Sequence, residues 1–192
     1  MKNKYDAIIV GCGVAGCFAA LHLPKTAEIL MITKSEKEES DSFLAQGGIC
    51  VLKSEDDYDS FFEDTLRAGH YENKRSAVDM MIRSSADVIR ELISLGVSFQ
   101  TKDGELVYTR EGAHSTNRIL YHEDVTGKEI TEKLLQKVCA QPNITLTEHT
   151  EMIDLLCQNN TCDGILIRTK TGRLAAVLAD NVILACGGIG GI

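Results

Sequence analysis

The feature that most restricts what this chain can fold into lies at its amino terminus. Residues 5–10 are an apolar run that stops at Gly11-Cys12-Gly13-Val14-Ala15-Gly16, and residues 14–23 carry small and apolar side chains up to Pro24. A short apolar run ending at glycine reads as a strand buried on both faces. The segment after it reads as a helix, which Pro24 stops. Residues 28–33 supply a second apolar strand, completing a β-α-β unit of about 30 residues. In a G-x-G-x-x-G turn so placed, the first glycine permits the tight turn and the second lets the backbone approach a pyrophosphate. The third lets helix and strand pack closely, and Ala20 extends that small face by a helical turn. The amides at the helix start then hold a diphosphate, aided by the helix dipole. The pattern therefore predicts dinucleotide binding; its alternative is a purely structural glycine turn. An NAD enzyme ends its second strand on an acidic residue that holds the ribose. Here the strand ends Ile32-Thr33-Lys34, with Glu36 just beyond, which leaves the ribose to backbone and hydroxyl groups.

Residues 34–48 read as a polar loop without periodicity, long enough to suggest function. Residues 56–68 and 73–95 have helical spacing. In the second, Val78, Met81, Ile82, Ala86, Ile89, Leu92 and Ile93 form the apolar stripe and Gly96 follows its end. Residues 97–109 read as a hairpin turning at Asp103-Gly104, and residues 110–124 as irregular. Thr126 and Glu129 have capping-box spacing at the start of a helix that runs to about Ala140. A strand at 144–147 follows, then an antiparallel meander at 151–157, 164–169 and 174–179, then a last buried strand at 181–186 that enters a glycine cluster. A chain stopping in such a cluster reads as a piece of a longer protein.

A length of 192 residues allows one domain, or one and part of a second. The net charge of −8 opposes nucleic acid or an anionic membrane as partner. No apolar run approaches the roughly 18 residues of a membrane span, and residues 1–6 lack a signal-peptide core, so the expected location is the cytoplasm. The seven cysteines are odd in number and form no C-x-x-C pair. Cys157 and Cys162 are the nearest candidates for a metal or disulfide, yet nothing completes a zinc set, and free thiols with no metal are expected.

Two further segments carry chemistry. Ser42-Phe43-Leu44-Ala45-Gln46-Gly47-Gly48 is a small-residue loop that either lets backbone approach a flat or anionic group or simply turns before a strand. Arg110-Glu111-Gly112-Ala113-His114-Ser115, with Arg118, His122 and Thr126-Gly127 beyond, is either a polar substrate site or a solvated loop with surface ion pairs.

The glycine fingerprint, Ala45-Gln46-Gly47-Gly48, the helix end Glu63-Asp64-Thr65-Leu66-x-Ala68-Gly69, the R-E-G-A-H-S segment and Leu184-Ala185-Cys186-Gly187-Gly188 occur in this order. In that order the chain resembles, over essentially its whole length, the flavoprotein family that contains succinate dehydrogenase, fumarate reductase and L-aspartate oxidase. The resemblance implies an α/β three-layer FAD-binding fold: a parallel sheet with helices, a β-meander, and the helical segment 56–95 packed outside. Residues 1–192 would be the amino-terminal part of that domain, without the capping and carboxy-terminal helical domains, and inactive alone.

The resemblance also implies FAD as cofactor. Gly11, Cys12, Gly13, Val14, Ala15 and Gly16 would take the diphosphate, and Lys34 the adenosine side. Ser42, Ala45, Gln46, Gly47 and Gly48 would meet the flavin, Ile153 the adenine through its backbone, and Ala185 and Gly187 the chain's return to the cofactor. Succinate and fumarate members carry a covalently flavinylated histidine four residues before the alanine of A-Q-G-G. Asp41 stands there, which implies non-covalent FAD and places a carboxylate where it would oppose the diphosphate if it points inward. Those members also have an F-G-G-Q-S type segment in place of R-E-G-A-H-S. Both differences resemble the aspartate oxidases, which implies oxidation of L-aspartate to iminoaspartate with oxygen or fumarate as acceptor, a step of quinolinate and NAD synthesis, and quinolinate synthase as a partner. Glu111 would meet the substrate ammonium, with His114 and Ser115 beside it in the site. A succinate or fumarate oxidoreductase and a non-catalytic flavin-binding module are the alternatives.

Overall fold

The computed structural model describes residues 2–188. The chain forms two compact units, one comprising residues 1–44 and 131–192, the other residues 45–130.

The first unit is built on a six-stranded sheet in the order β7-β2-β1-β10-β9-β8. Its strands are β1 (Lys4–Val10), β2 (Ile29–Ile32), β7 (Ile144–Thr147), β8 (Glu151–Gln158), β9 (Thr161–Arg168) and β10 (Leu174–Leu184). β7, β2, β1 and β10 run parallel, while β9 and β8 continue the sheet antiparallel. Alternation along β1 and β2 sends Ile8, Val10, Leu30 and Ile32 into a core shared with Ile165, Ile167 and Val177. Their neighbours Ala7, Ile9, Ile29 and Met31 are equally buried on the opposite face, so both strands read as continuous apolar runs. Helix α1 (Val14–His22) buries Gly16, Cys17 and Ala20 and ends at Leu23, which is extended as a residue before proline should be. The antiparallel meander is as the sequence predicts. The separate last strand is not: residues 174–184 are one strand. Its first half pairs with β9 and the remainder with β1, with Leu178 opposite both Gly164 and Lys4.

Residues 34–48 are more ordered than their lack of periodicity suggests, with a 3-10 turn at Lys37–Glu39 and one helical turn, α2, at Asp41–Leu44. The Lys37 amide donates to Glu148 Oε1 at 2.8 Å, and its ammonium lies 3.1 Å from Glu38 and 3.6 Å from Glu148.

In the second unit, α3 (Tyr58–Ala68) and α4 (Arg75–Ser94) pack through Phe61, Leu66, Val78 and Ile82. The buried stripe of α4 is narrower than its periodicity predicts, because Met81 and Ile93 stay exposed. Gly96, at φ +101°, ends α4 in a Schellman motif, with Val97 N–H donating to Leu92 O and Gly96 N–H to Ile93 O. The hairpin β4 (Thr101–Lys102) and β5 (Glu105–Leu106) turns at Asp103-Gly104, both left-handed as a two-residue turn requires. Within the segment read as irregular lies a strand, β6 (Ile119–Leu120), paired with β3 (Ile49–Cys50). Helix α5 spans Thr126–Cys139. Its expected capping pair serves other donors: Thr126 Oγ1 accepts from His122 N–H at 3.0 Å and Glu129 Oε1 from Ser98 N–H at 2.9 Å. Among the described residues no helix is long and apolar enough to cross a membrane.

Candidate functional site

The glycine turn sits at the carboxyl ends of β1 and β10, where open α/β sheets bind ligands. Ala185 N–H donates to Val10 O at 2.8 Å, locking the two strand ends together. Gly11 has φ +107°, and a Cβ there would lie 2.3 Å from Ala185 O. At Gly16 a Cβ would lie 2.0 Å from Gly11 O, so side chains are excluded from both positions. Gly13 is the extended N-cap of α1, and no side chain caps that helix or places a negative charge in its first turn. With no side-chain cap and no acid in the first turn, its leading amides suit an incoming phosphate. A Cβ at Gly13 would come within 2.9 Å of Ser42 Oγ and 3.8 Å of Ser40 Cβ, so two serines flank the turn; Ser40 carries no signal in the sequence. This glycine-lined, uncapped helix start fits a dinucleotide diphosphate.

Not every fingerprint residue contributes alike. The Cys12 side chain is buried, donates to Lys37 O at 3.6 Å, and has its pKa raised by desolvation, which leaves only its backbone for a ligand. Val14 is half-buried and Ala15 exposed at the helix start. Lys34 is exposed just after β2. Ile153 is the residue that the β8–β9 register skips, between the pairs Met152–Ile167 and Asp154–Leu166, and is 42% exposed. A bulge residue is left out of the ladder, so its backbone can meet a flat polar group. Asp41 Oδ2 lies 4.0 Å from where a Gly187 Cβ would be, so its carboxylate faces the return segment that contains Ala185 and Gly187.

In the second unit the Ala45-Gln46-Gly47-Gly48 loop is gripped at both ends. Gly127 N–H, at the start of α5, donates to Ala45 O at 3.0 Å, and Gly48 N–H donates to Glu111 Oε1 at 3.1 Å. Gln46 and Gly47 are exposed between these anchors. The loop and Glu111, predicted separately, are thus brought together. Glu111 Oε2 has no hydrogen-bond partner among the described residues.

Behind the R-E-G-A-H-S segment lies a group that local reasoning missed. Arg118, read as part of a polar loop, is fully buried. Its Nε and a terminal nitrogen donate to Asp57 at 3.0 and 2.8 Å, and its other nitrogen to Asp64 at 2.7 Å. Asp64 Oδ2 also accepts the Ser115 amide and hydroxyl, each at 2.7 Å. The Arg118 hydrogen bond, working against burial, and those from Thr116 and Ser60 hold Asp57 at a pKa of about 2. Burial pulls the Asp64 carboxyl upward, but Arg118 and both Ser115 donors outweigh it, and its pKa is also about 2. The available signal was the spacing of Asp57, Phe61 and Asp64, which places two carboxylates on the face of α3 that buries an aromatic ring.

His114 Nδ1 lies 3.1 Å from an Arg118 nitrogen. Arginine can only donate, so this Nδ1 accepts and the ring proton sits on Nε2. Burial and the Arg118 charge lower the His114 pKa, which keeps the ring neutral. His114 lines a cavity of about 190 Å³ with Cys50, Phe61, Thr65, Met81 and Ala113. Ala113 has φ +69°, a strained conformation for a residue with a side chain, and the anchored His114 and Ser115 follow it directly. Ser115 is committed to Asp64, and His122 Nδ1 to Ser98 O at 2.7 Å.

The family model described as an FAD binding domain matches residues 6–191. The chain belongs to the FAD-binding domain family. FAD is the cofactor that family holds, and the glycine turn fits it. Among relatives of this FAD-binding domain, L-aspartate oxidase of Clostridium perfringens is 44% identical over 192 residues, covering 100% of this chain and 44% of the relative. L-aspartate oxidase of Clostridium acetobutylicum is 40% identical over 193 residues, with 100% and 44% covered. The chain thus spans less than half the length of these relatives. Among solved structures, the Mycobacterium smegmatis Sdh1 complex superposes with a TM-score of 0.90 at 26% identity, covering 98% of this chain and 35% of that one. Escherichia coli quinol fumarate reductase gives 0.90 at 25% identity, covering 97% and 33%.

Proposed function

We propose that this chain is the FAD-holding part of an enzyme that oxidises L-aspartate to iminoaspartate. The observation that supports this reading most is Glu111: a carboxylate seated on the Gly48 amide of the A-Q-G-G loop, with one oxygen uncommitted, is the group an α-ammonium requires. The names of the relatives at 40–44% identity point the same way. The amides leading α1, with Ser42, would hold the diphosphate; Lys34 and the Ile153 backbone would hold the adenosine side; and Ala185 and Gly187 would close the return. Ala45, Gln46, Gly47 and Gly48 would present backbone to the flavin. Bound FAD supplies the two-electron acceptor for hydride removal from the substrate Cα. Glu111 would orient the ammonium, neutral His114 would donate from Nε2 to a substrate carboxylate, and Ser115 would position the loop through Asp64. Oxygen or fumarate would take the electrons. Quinolinate synthase belongs to the proposal as partner, because an imino acid hydrolyses in water and favours direct hand-off.

The test is Glu111→Gln in a version as long as the relatives. Glutamine still accepts from Gly48 N–H but lacks the charge. A charge-assisted hydrogen bond contributes ~1.5–3 kcal/mol, so aspartate turnover should fall about ten- to a hundredfold. Fumarate has no ammonium, and its reduction should fall much less. Equal losses for both substrates would remove Glu111 from the substrate site and favour the fumarate or succinate reading. Attachment is tested separately. With Asp41 in place of a histidine, acid precipitation of the flavin-loaded protein should release all yellow colour into the supernatant, and colour kept in the pellet would contradict non-covalent binding.

A further inference from the structure

We propose that Cys157 and Cys162 are a two-electron oxidation site, at which a peroxide converts two facing thiols into a cross-strand disulfide that a dithiol reductant reopens. The two residues are direct register partners on β8 and β9. Between them the chain turns at Asn159-Asn160, both at positive φ (49° and 61°), the geometry of a two-residue hairpin turn. The pair Gln158–Thr161 closes that turn, and in an antiparallel ladder the next pair out is a non-hydrogen-bonded one, with Cα atoms about 4.5 Å apart. That separation lies inside the roughly 4.4–6.8 Å range a disulfide spans. The Cys162 thiol, which donates to Gly164 O at 3.5 Å, is also close enough to raise the Cys157 pKa. Cys157 is exposed and Cys162 half-buried, so a small oxidant reaches the first and the second is shielded behind it.

In the first step the Cys157 thiolate attacks a peroxide oxygen; an S–O bond forms, the O–O bond breaks and hydroxide leaves. In the second the Cys162 sulfur displaces hydroxide from the Cys157 sulfenic acid, forming S–S and breaking S–O. Overall two thiols and one hydrogen peroxide give a disulfide and two waters.

The experiment treats the reduced, purified protein with hydrogen peroxide, alkylates the remaining thiols and maps the peptides by mass. Alkaline pH is used, because desolvation, with Cys162, Asp154 and Asp163, raises the Cys157 pKa. The expected product is a peptide lighter by two hydrogens, unalkylated at Cys157 and Cys162 and restored by dithiothreitol. In Cys162→Ser, Cys157 should stop at a sulfenic acid that dimedone traps. The exposed thiols Cys139 and Cys186 should remain outside any disulfide. The proposal is overturned if wild-type Cys157 stays alkylatable, accumulates as an oxyacid beside a free Cys162, or pairs with another cysteine.

Discussion

Arg118→Met should destabilise the full-length protein by about 3–5 kcal/mol at neutral pH, the usual cost of stranding buried charges by removing their partner. The methionine fills much of the same volume against Phe61, whose ring lies 4.8 Å from the guanidinium, so the loss reads out charge more than packing. Two carboxylates, Asp57 and Asp64, are left without their cation. The pH dependence carries the signature. In the wild type both acids have folded pKa values of about 2 against an ordinary 3.8. Their contribution is therefore fully present above the ordinary value and is lost as pH falls towards 2. In the variant their folded pKa values rise, the acids take up protons, and the stranded charges disappear. The stability gap between the two proteins, measured by urea unfolding, should then narrow from about pH 7 to about pH 4. A gap of constant size would mean that Arg118 acts through packing alone.

Gly11→Ala should lower FAD affinity by about a hundredfold or more, equivalent to ~2.7 kcal/mol. The added methyl would meet Ala185 O at 2.3 Å and Ala185 C at 2.8 Å, backbone atoms that cannot rotate aside, at a residue whose φ is already +107°. The turn must open or the end of β10 must move, and either displaces the amides proposed to hold the diphosphate. Gly172→Ala is the matched control: φ is +80° there, but nothing lies within 4 Å of the new carbon. It should lose about 1 kcal/mol to backbone strain and keep its flavin. Fluorescence quenching on FAD titration decides the matter, and equal affinity for both variants would separate the glycine turn from the cofactor.

What the sequence disclosed follows from the range of the forces involved. The β1-α1-β2 unit, the two-residue turn at Asp103-Gly104, the glycine stop after α4 and the antiparallel meander all rest on local periodicity or on φ preferences of single residues, and they were legible. β6 was not, because a two-residue strand has no period; it exists through pairing with β3, distant in sequence. The join within β10 was hidden because Asp180 and Asn181 interrupt the apolar pattern, although the backbone continues from one partner strand to the next. The Thr126 and Glu129 side chains were misread for the same reason: their partners, His122 and Ser98, lie outside the helix. At the site, the glycine fingerprint was read from its spacing between strand and helix, whereas the A-Q-G-G loop was open between a binding loop and a turn, and only the family resemblance assigned it to the flavin. The burial of Arg118, and its hold on Ser115 and His114, required the tertiary structure.

The seat of Glu111 on the Gly48 amide also limits how this protein can change. A single carboxylate both steadies a loop and, in the proposed reading, selects a substrate. A replacement that refuses the ammonium but cannot accept from that amide unfastens the loop in the same step. Drift towards substrates without an amino group is therefore confined to side chains that keep a carbonyl oxygen at the same reach, or it must begin with a new anchor for Gly48 elsewhere.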